Sequence, residues 1–241
     1  MSDVLLLHAG IADRRMWASQ VGALTAAGHR ALTPDLPGFG ETSLGPGTVD
    51  YVAYAGDLLP GPAAVVGCSF GGRIALELSL SRPELVERLV LVGAGLGGWA
   101  WSDAARAGFA EEEAALGRGD RPEAAAAQAR MWLAENASEQ VRALTEAMTL
   151  RSYELQIPVE DEVTDVWPEP PAADRLEDVR AETLVVVGSE DLDDIKAIAE
   201  KLAAGIPGAR SATIDGAGHL PSLERPDELN RLLLEFLEDG V

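Results

Sequence analysis

Several things are scarce in this sequence, and each shortage closes off a class of protein. There is one cysteine, Cys68, in 241 residues, so neither an internal disulfide framework nor a cysteine-built metal site can be assembled. Positive charge is scarce: 19 Lys+Arg stand against 40 Asp+Glu, a formal net charge of -21. Nucleic acids and anionic membrane surfaces are bound through clustered positive charge, and neither is expected as a partner. The opening MSDVLLLHAG has no basic segment and an apolar stretch of four residues. It fits neither a signal peptide nor a membrane span, and a reducing cytoplasm is the expected location. Histidine is the scarcest proton carrier, present only as His8, His29 and His219.

What is present is enough apolar sequence, 47% of the chain, for a sizeable core. At this length one large domain, or one domain with an insertion, is expected. Short Val- and Leu-rich runs recur as VLLLHAG, HRALTPDLPG, AAVVGCS, ERLVLVGAG, ETLVVVGSED and RSATIDGAGH. They are continuous rather than alternating, which marks strands covered on both faces. Helical stretches such as RRMWASQVGALTAAG, GGRIALELSLSRPELV and LDDIKAIAEKLAAGI lie between them. The expected fold is α/β, a mostly parallel sheet of about six strands flanked by helices. The alternation breaks between about Trp99 and Asp178, where Ala-, Glu- and Leu-rich helical sequence appears and no strand is expected. The chain thus divides into residues 1–98, an inserted helical cap over 99–178, and 179–241.

The run VVGCSFGG ends a buried strand in three glycines around a serine. Gly67-Cys68-Ser69-Phe70-Gly71 fits G-x-S-x-G at a strand-to-helix turn, where the serine hydroxyl stands above the sheet and the glycines leave room for the turn. Gly72 permits close packing of strand and helix. The N–H groups at the start of the following helix suit a developing oxyanion. A serine needs a base, and His219, in the loop GAGHLPSLERP after the last strand, is placed to be one. His29, at a helix-to-strand entry, reads as structural. His8 reads as a brace for the loop after the first strand. The base needs an acid to hold its tautomer; Glu190, Asp191, Asp193 and Asp194 are available. Asp191 is preferred for its place close behind the Gly188-Ser189 turn, while Asp193 and Asp194 suit the start of the next helix. Gly10 or Ile11 is expected to aim a second backbone N–H at the point served by Phe70.

These segments together resemble an α/β-hydrolase of the capped esterase, enol-lactonase and cofactor-free perhydrolase type. HAGIADRRMW is similar to that family's HG-x…W segment, DLPGFGETS to its D-x-PG-x-G-x-S loop, and GCSFGG, GSED and GAGHLPSLERP to its triad motifs. The landmarks run in family order from residue 4 to about 236. The resemblance implies the α/β-hydrolase fold, with Ser69 as nucleophile, Asp191 as acid, His219 as base, and Gly10 and Phe70 as oxyanion donors. It implies no cofactor and no metal. Two departures stand out: the family's first hairpin has no counterpart before LLLH, and Ala9 replaces the glycine after the loop histidine. A serine rather than an aspartate at the elbow argues against haloalkane dehalogenase or epoxide hydrolase chemistry.

The expected substrate is a small or medium carboxylic ester or lactone, cleaved through an acyl-enzyme on Ser69. The alternatives are a perhydrolase or C–C bond hydrolase using the same triad, and a non-catalytic ligand receptor on the same scaffold. Trp99, Trp101, Met131 and Trp132 are the candidate substrate-binding residues, among cap side chains that also include Phe109, Met148 and Trp167. The cap is expected to set acyl-chain preference and to have no part in positioning the triad.

Overall fold

The apolar runs become the strands of one sheet, and their lack of alternation has a direct structural cause. The computed structural model describes residues 2–238; Met1 and residues 239–241, at the outer ends of the first and last expected segments, lie outside the described residues. In chain order the elements are β1 (Asp3–Leu7), α1 (Ala18–Ala26), β2 (Arg30–Leu32), β3 (Gly47–Val49), α2 (Tyr51–Asp57), β4 (Ala63–Cys68), α3 (Phe70–Ser81) and β5 (Val86–Val92). Then come α4 (Asp103–Gly117), α5 (Arg121–Trp132), α6 (Glu139–Gln156) and β6 (Val163–Asp165). The order closes with β7 (Glu182–Gly188), α7 (Asp193–Gly205), β8 (Arg210–Ile214), α8 (Pro221–Glu224) and α9 (Pro226–Glu238).

Six of these strands form a parallel sheet in the order β2-β1-β4-β5-β7-β8. Alternate residues of each strand serve two cores. Leu5, Leu7, Val65, Leu89, Leu91 and Val185 pack with Val52 of α2, Ile74 and Leu78 of α3, and Ile198 and Leu202 of α7. Val4, Leu6, Val66, Val90, Val92 and Val186 pack on the other face with Leu24 of α1 and Leu229, Leu233 and Phe236 of α9. Both faces need apolar side chains, so successive inner positions of the central strands are apolar. Register sets the site: β1 pairs with β4 up to Leu7↔Gly67, β4 with β5 up to Cys68↔Val92, and β7 with β8 up to Gly188↔Ile214. The C-terminal ends of the central strands therefore form one row, and the loops carrying Gly10, Ser69, Asp191 and His219 all leave from it.

Residues 99–178 contain three helices, each begun by a side-chain cap: Ser102 accepts from the Ala105 N–H, Asp120 from Glu123 and Ser138 from Val141, all at 3.2 Å. The expectation of no strand in this segment needs correction. β6 pairs in parallel with β3 as a separate two-stranded ribbon. Each strand is three residues long, too short for a hydrophobic period to register. The segment docks on the loops at the C-terminal strand ends. Thr149 Oγ1 donates to Ile11 O at 3.0 Å, Gln156 Nε2 to Gly38 O at 3.0 Å, and Arg151 Nε to Gly40 O at 2.9 Å. Its return to the sheet is pinned by Glu77 of α3, 1% exposed, which accepts from Arg175 Nη2 at 2.8 Å and Ala172 N at 3.0 Å. Among the described residues no helix is long and apolar enough to cross a membrane.

His8 braces the loop after β1, as expected. Its ring is fully buried; Nδ1 lies 2.9 Å from Ala9 O, and Nε2 accepts from Leu36 N at 2.9 Å. That pair of partners requires the neutral, Nδ1-protonated ring. Burial holds its pKa below the ordinary 6.5, against the opposing pull of the Ala9 carbonyl and the charges of Asp35 and Asp13. Below pH 6.5 the unfolded chain takes up a proton at His8 that the folded chain refuses, so stability falls as the pH drops through that value and is unaffected above it. The slope is at most about 1.4 kcal/mol per pH unit for one proton. The thermal midpoint difference between wild type and His8→Gln should therefore be widest near pH 8 and narrow as the pH is lowered to 5. A constant difference across that range would place His8 among groups that do not titrate with unfolding.

Candidate active site

The strand-to-helix turn after β4 is shaped by what cannot fit there. A Cβ on Gly71 would overlap the Leu7 carbonyl, and one on Gly67 would overlap the carbonyl of Gly71. At Gly72 it would sit 2.6 Å from the Ala94 Cβ. With α3 pressed this close to β1 and β4, the residue between strand and helix must turn sharply. Ser69 does so at φ 53, ψ -113, the one positive-φ residue other than glycine among the described residues. Such a conformation costs on the order of 1–3 kcal/mol. Its backbone is held on both sides: Ser69 N donates to Val92 O at 3.0 Å, and Ser69 O accepts from Arg73 N at 3.0 Å and Gly95 N at 2.9 Å.

His219 and Asp191 meet across the ends of β7 and β8. His219 Nδ1 lies 3.0 and 2.9 Å from the two carboxylate oxygens of Asp191, and both side chains are essentially buried. Asp191 also accepts from the Leu192 N–H at 2.8 Å. The carboxylate thus fixes the proton on Nδ1 and leaves Nε2 as the basic atom, and among the described residues that Nε2 is buried without a hydrogen-bond partner. The His219 carbonyl accepts from Cys68 Sγ at 3.7 Å, which sets the imidazole loop beside the residue that precedes Ser69. Cys68 itself is buried and burial pushes its thiol pKa well up, the opposite of an activated nucleophile. The remaining acids of the turn have other work. Glu190 and Asp193 are exposed, and Asp193 pairs with Lys196 at 2.9 Å. Asp194 accepts from Trp99 Nε1, Ser102 N and Ser102 Oγ at 3.1, 2.9 and 2.5 Å, anchoring the start of the helical segment.

Phe70 N is the first N–H of α3, without an acceptor inside the helix. The Phe70 and Gly10 N–H groups donate to no acceptor among the described residues, and a Cβ on Gly10 would lie 3.6 Å from Phe70 Cβ. The two residues are therefore neighbours across the start of α3. Among the described residues no group of three or more His, Cys, Asp or Glu side chains is placed to hold a metal ion.

The four aromatic and Met candidates separate. Trp132 is brought to the site, its ring 4.2 Å from that of His219 at 30°, and Trp101 is linked to it through Phe109. Trp99 is turned to α7 by Asp194, and Met131 packs against Gly108 of α4. A second aromatic group, missed apart from Trp167, surrounds Phe70: Tyr51 at 4.9 Å, Trp167 at 5.8 Å and Phe39 at 6.1 Å. The Arg73 guanidinium lies over Trp167 at 3.5 Å. The sequence signal for Phe39 was its place in the loop DLPGFG.

The helical segment also touches the candidate base, a contact not expected from the sequence. The His219 N–H donates to the Trp132 carbonyl at 2.8 Å, while the Trp132 ring lies against the imidazole. That ring is itself fixed, since Trp132 Nε1 donates to Gln128 Oε1 at 2.7 Å, Gln128 Nε2 to Glu112 Oε2 at 2.7 Å, and Tyr153 Oη to Glu112 Oε1 at 2.5 Å. Burial raises the pKa of the Glu112 carboxyl. A backbone carbonyl in a helical insertion has no sequence signature, which is why this contact was not foreseen.

The sequence pattern of the alpha/beta hydrolase family matches residues 4–232. A pimeloyl-[acyl-carrier protein] methyl ester esterase of Aromatoleum aromaticum is 31% identical over 245 residues, covering 94% of this chain and 94% of that protein. A 2-hydroxy-6-oxononadienedioate/2-hydroxy-6-oxononatrienedioate hydrolase of Cupriavidus pinatubonensis is 26% identical, covering 97% and 86%. Among solved structures, a thermophilic esterase from Thermogutta terrifontis superposes with a TM-score of 0.79 at 26% identity, covering 98% of this chain and 89% of that one. With its six-stranded parallel sheet and its strand-end loops in family order, the chain belongs to the alpha/beta hydrolase family.

Proposed function

We propose that this protein is a serine hydrolase that cleaves small or medium carboxylic esters or lactones through an acyl-enzyme on Ser69. The observation that carries the reading is the buried His219 imidazole, with Nδ1 held by both oxygens of Asp191 and Nε2 left open. His219 Nε2 takes the Ser69 hydroxyl proton as Oγ attacks the carbonyl carbon, and Asp191 stabilises the imidazolium that forms. The developing oxyanion is met by the N–H groups of Phe70 and Gly10, aided by the N-terminal end of α3. His219 then returns the proton to the leaving alkoxide. A water, deprotonated by the same nitrogen, attacks the acyl carbonyl, and collapse of the second tetrahedral intermediate frees the acid and Ser69. For a lactone, leaving group and acid stay in one molecule.

Residues 99–178 act as a cap over the strand ends. Trp101, Phe109 and Trp132 on one side, and Phe39, Tyr51, Phe70 and Trp167 on the other, suit apolar acyl groups. The esterases among the similar proteins support this chemistry, and the 2-hydroxy-6-oxononadienedioate/2-hydroxy-6-oxononatrienedioate hydrolase among them keeps C–C bond cleavage by the same triad as the second reading.

Wild-type protein should take up one fluorophosphonate label, on Ser69 by peptide mass, and Ser69→Ala should take up none while keeping its thermal midpoint. Labelling retained in Ser69→Ala would move the nucleophile elsewhere. Asp191→Asn should lower kcat on p-nitrophenyl acetate by roughly 10³–10⁴. Asp194→Asn should chiefly lower the midpoint, since Asp194 holds the start of the cap.

Trp132→Ala should lower kcat on acetate by roughly 10- to 100-fold, because the ring against His219 is lost and small displacements of a base are costly. Trp132→Phe, which keeps a ring but drops the Gln128 bond, should fall between that variant and wild type. A chain-length shift from acetate to octanoate with undiminished acetate turnover would show Trp132 to be a pocket wall only.

A further inference from the structure

The loop that carries His219 is fastened by one buried carboxylate further along the segment GAGHLPSLERP. Glu224 ends α8 and is 8% exposed. Its Oε2 accepts from Gly218 N at 3.0 Å and from Ala134 N at 2.9 Å; its Oε1 accepts from Leu220 N at 3.0 Å. The residues on either side of His219 therefore both donate to Glu224, and the N–H of His219 itself donates to Trp132 O. Three consecutive peptide N–H groups, 218 to 220, end on two acceptors, one of which also binds residue 134. The approach is close enough that a Cβ on Gly218 would overlap Ala134 N and lie 2.8 Å from Trp132 O.

We propose that Glu224 is a positioning residue for His219, and that it works by clamping the 132–134 segment of the cap to the loop bearing the base. The proposal rests on the triad reading given above. Two carboxylate oxygens supply three acceptor contacts, and hydrogen bonds to a carboxylate are stronger than neutral ones. Asp191 orients the ring by its Nδ1 edge alone, so the ring can still travel with its Cα. Glu224 removes that freedom by fixing the peptide groups before and after it. Nε2 is then delivered within the roughly 0.5 Å tolerance that proton transfer in a preorganised site requires. The cap contributes through the Ala134 N–H, so the geometry of the base depends on a segment nearly ninety residues away in sequence. A salt bridge to a side-chain cation would hold one point; a carboxylate shared among three backbone donors holds two stretches of chain together.

Two substitutions separate this role from packing. Glu224→Gln keeps the shape but replaces one accepting oxygen with a donor. Ala134→Pro deletes one N–H and puts a ring methylene in its place against Glu224 Oε2, while Leu133 already has the extended backbone (φ -90, ψ 147) that a following proline requires. The measurement is kcat and KM for p-nitrophenyl acetate per fluorophosphonate-titrated site, well below each variant's thermal midpoint. Glu224→Gln should lose roughly 10- to 100-fold in kcat with KM within about threefold of wild type, the pattern of misplaced catalytic geometry. Ala134→Pro should also lose kcat, and the double variant should be no worse than the poorer single variant, because both break the same clamp. Unchanged kcat per titrated site with only a lowered midpoint would overturn the proposal, as would losses that simply multiply in the double variant. Failure of both single variants to fold would also overturn it in favour of a purely structural clamp. A wild-type protein that takes no label would instead refute the triad reading itself.

Discussion

The close approach of α3 to the ends of β1 and β4 is the constraint from which the site follows. Where a helix must begin within less than a methyl group of two strands, glycine is required at 67, 71 and 72, and the residue between has no ordinary backbone conformation available. Ser69 takes the strained one, held there by Val92, Arg73 and Gly95. Hydrogen bonds worth about 0.5–1.5 kcal/mol each are together of the size of the strain they oppose. The Ser69 backbone is thereby fixed, and the Phe70 N–H follows it in the same turn. The loops bearing Asp191 and His219 have only to meet a point already defined.

The helical segment is a brace as much as a cover. It touches the loops after β1, β2 and β8 and the helices α7 and α8 through Thr149, Gln156, Arg151, Ser102, Trp132 and Ala134. Most of these bonds end on backbone groups. They constrain where loops lie without prescribing which side chains the loops carry, so pocket chemistry can vary while the mounting stays. The buried chain from Tyr153 through Glu112 and Gln128 to Trp132 carries the same restraint to a side chain. A half-satisfied polar chain in this position would cost more than an apolar one, so its members are tied to one another.

Much of this was legible in the sequence where a single physical rule governed a whole stretch. Strands buried on both faces read as unbroken Val and Leu runs, and a turn too tight for side chains reads as Gly-x-Ser-x-Gly. His219 stood out because only three histidines exist, and the buried pairing of His8 with Ala9 and Leu36 accounts for one of the others. Asp191 and Asp194 were harder to divide, since a shift of one helical turn separates a partner of His219 from an anchor for Trp99 and Ser102. The ribbon of β3 and β6 left no trace because three residues hold no period. Glu224 was invisible for a different reason. In LERP it reads as one more acid in a chain with 40 of them, and only the backbone folded around it shows that it faces inward.

The margins of the sheet have a consequence of their own. A strand at the rim of a sheet is a template for any other chain that can hydrogen-bond to it. Here β2 offers only three residues, and its first, Arg30, is tied to Asp3 of β1; on the far side the Arg210 guanidinium of β8 lies over Phe236. Charge and brevity thus blunt both rims by shape, while the excess of acidic groups keeps whole molecules apart by repulsion. The second safeguard reaches only about a Debye length, roughly 8 Å in physiological salt, and shrinks as salt is added. The brevity of β2 does not depend on salt at all, so in concentrated brine the protection of that rim rests on its three residues.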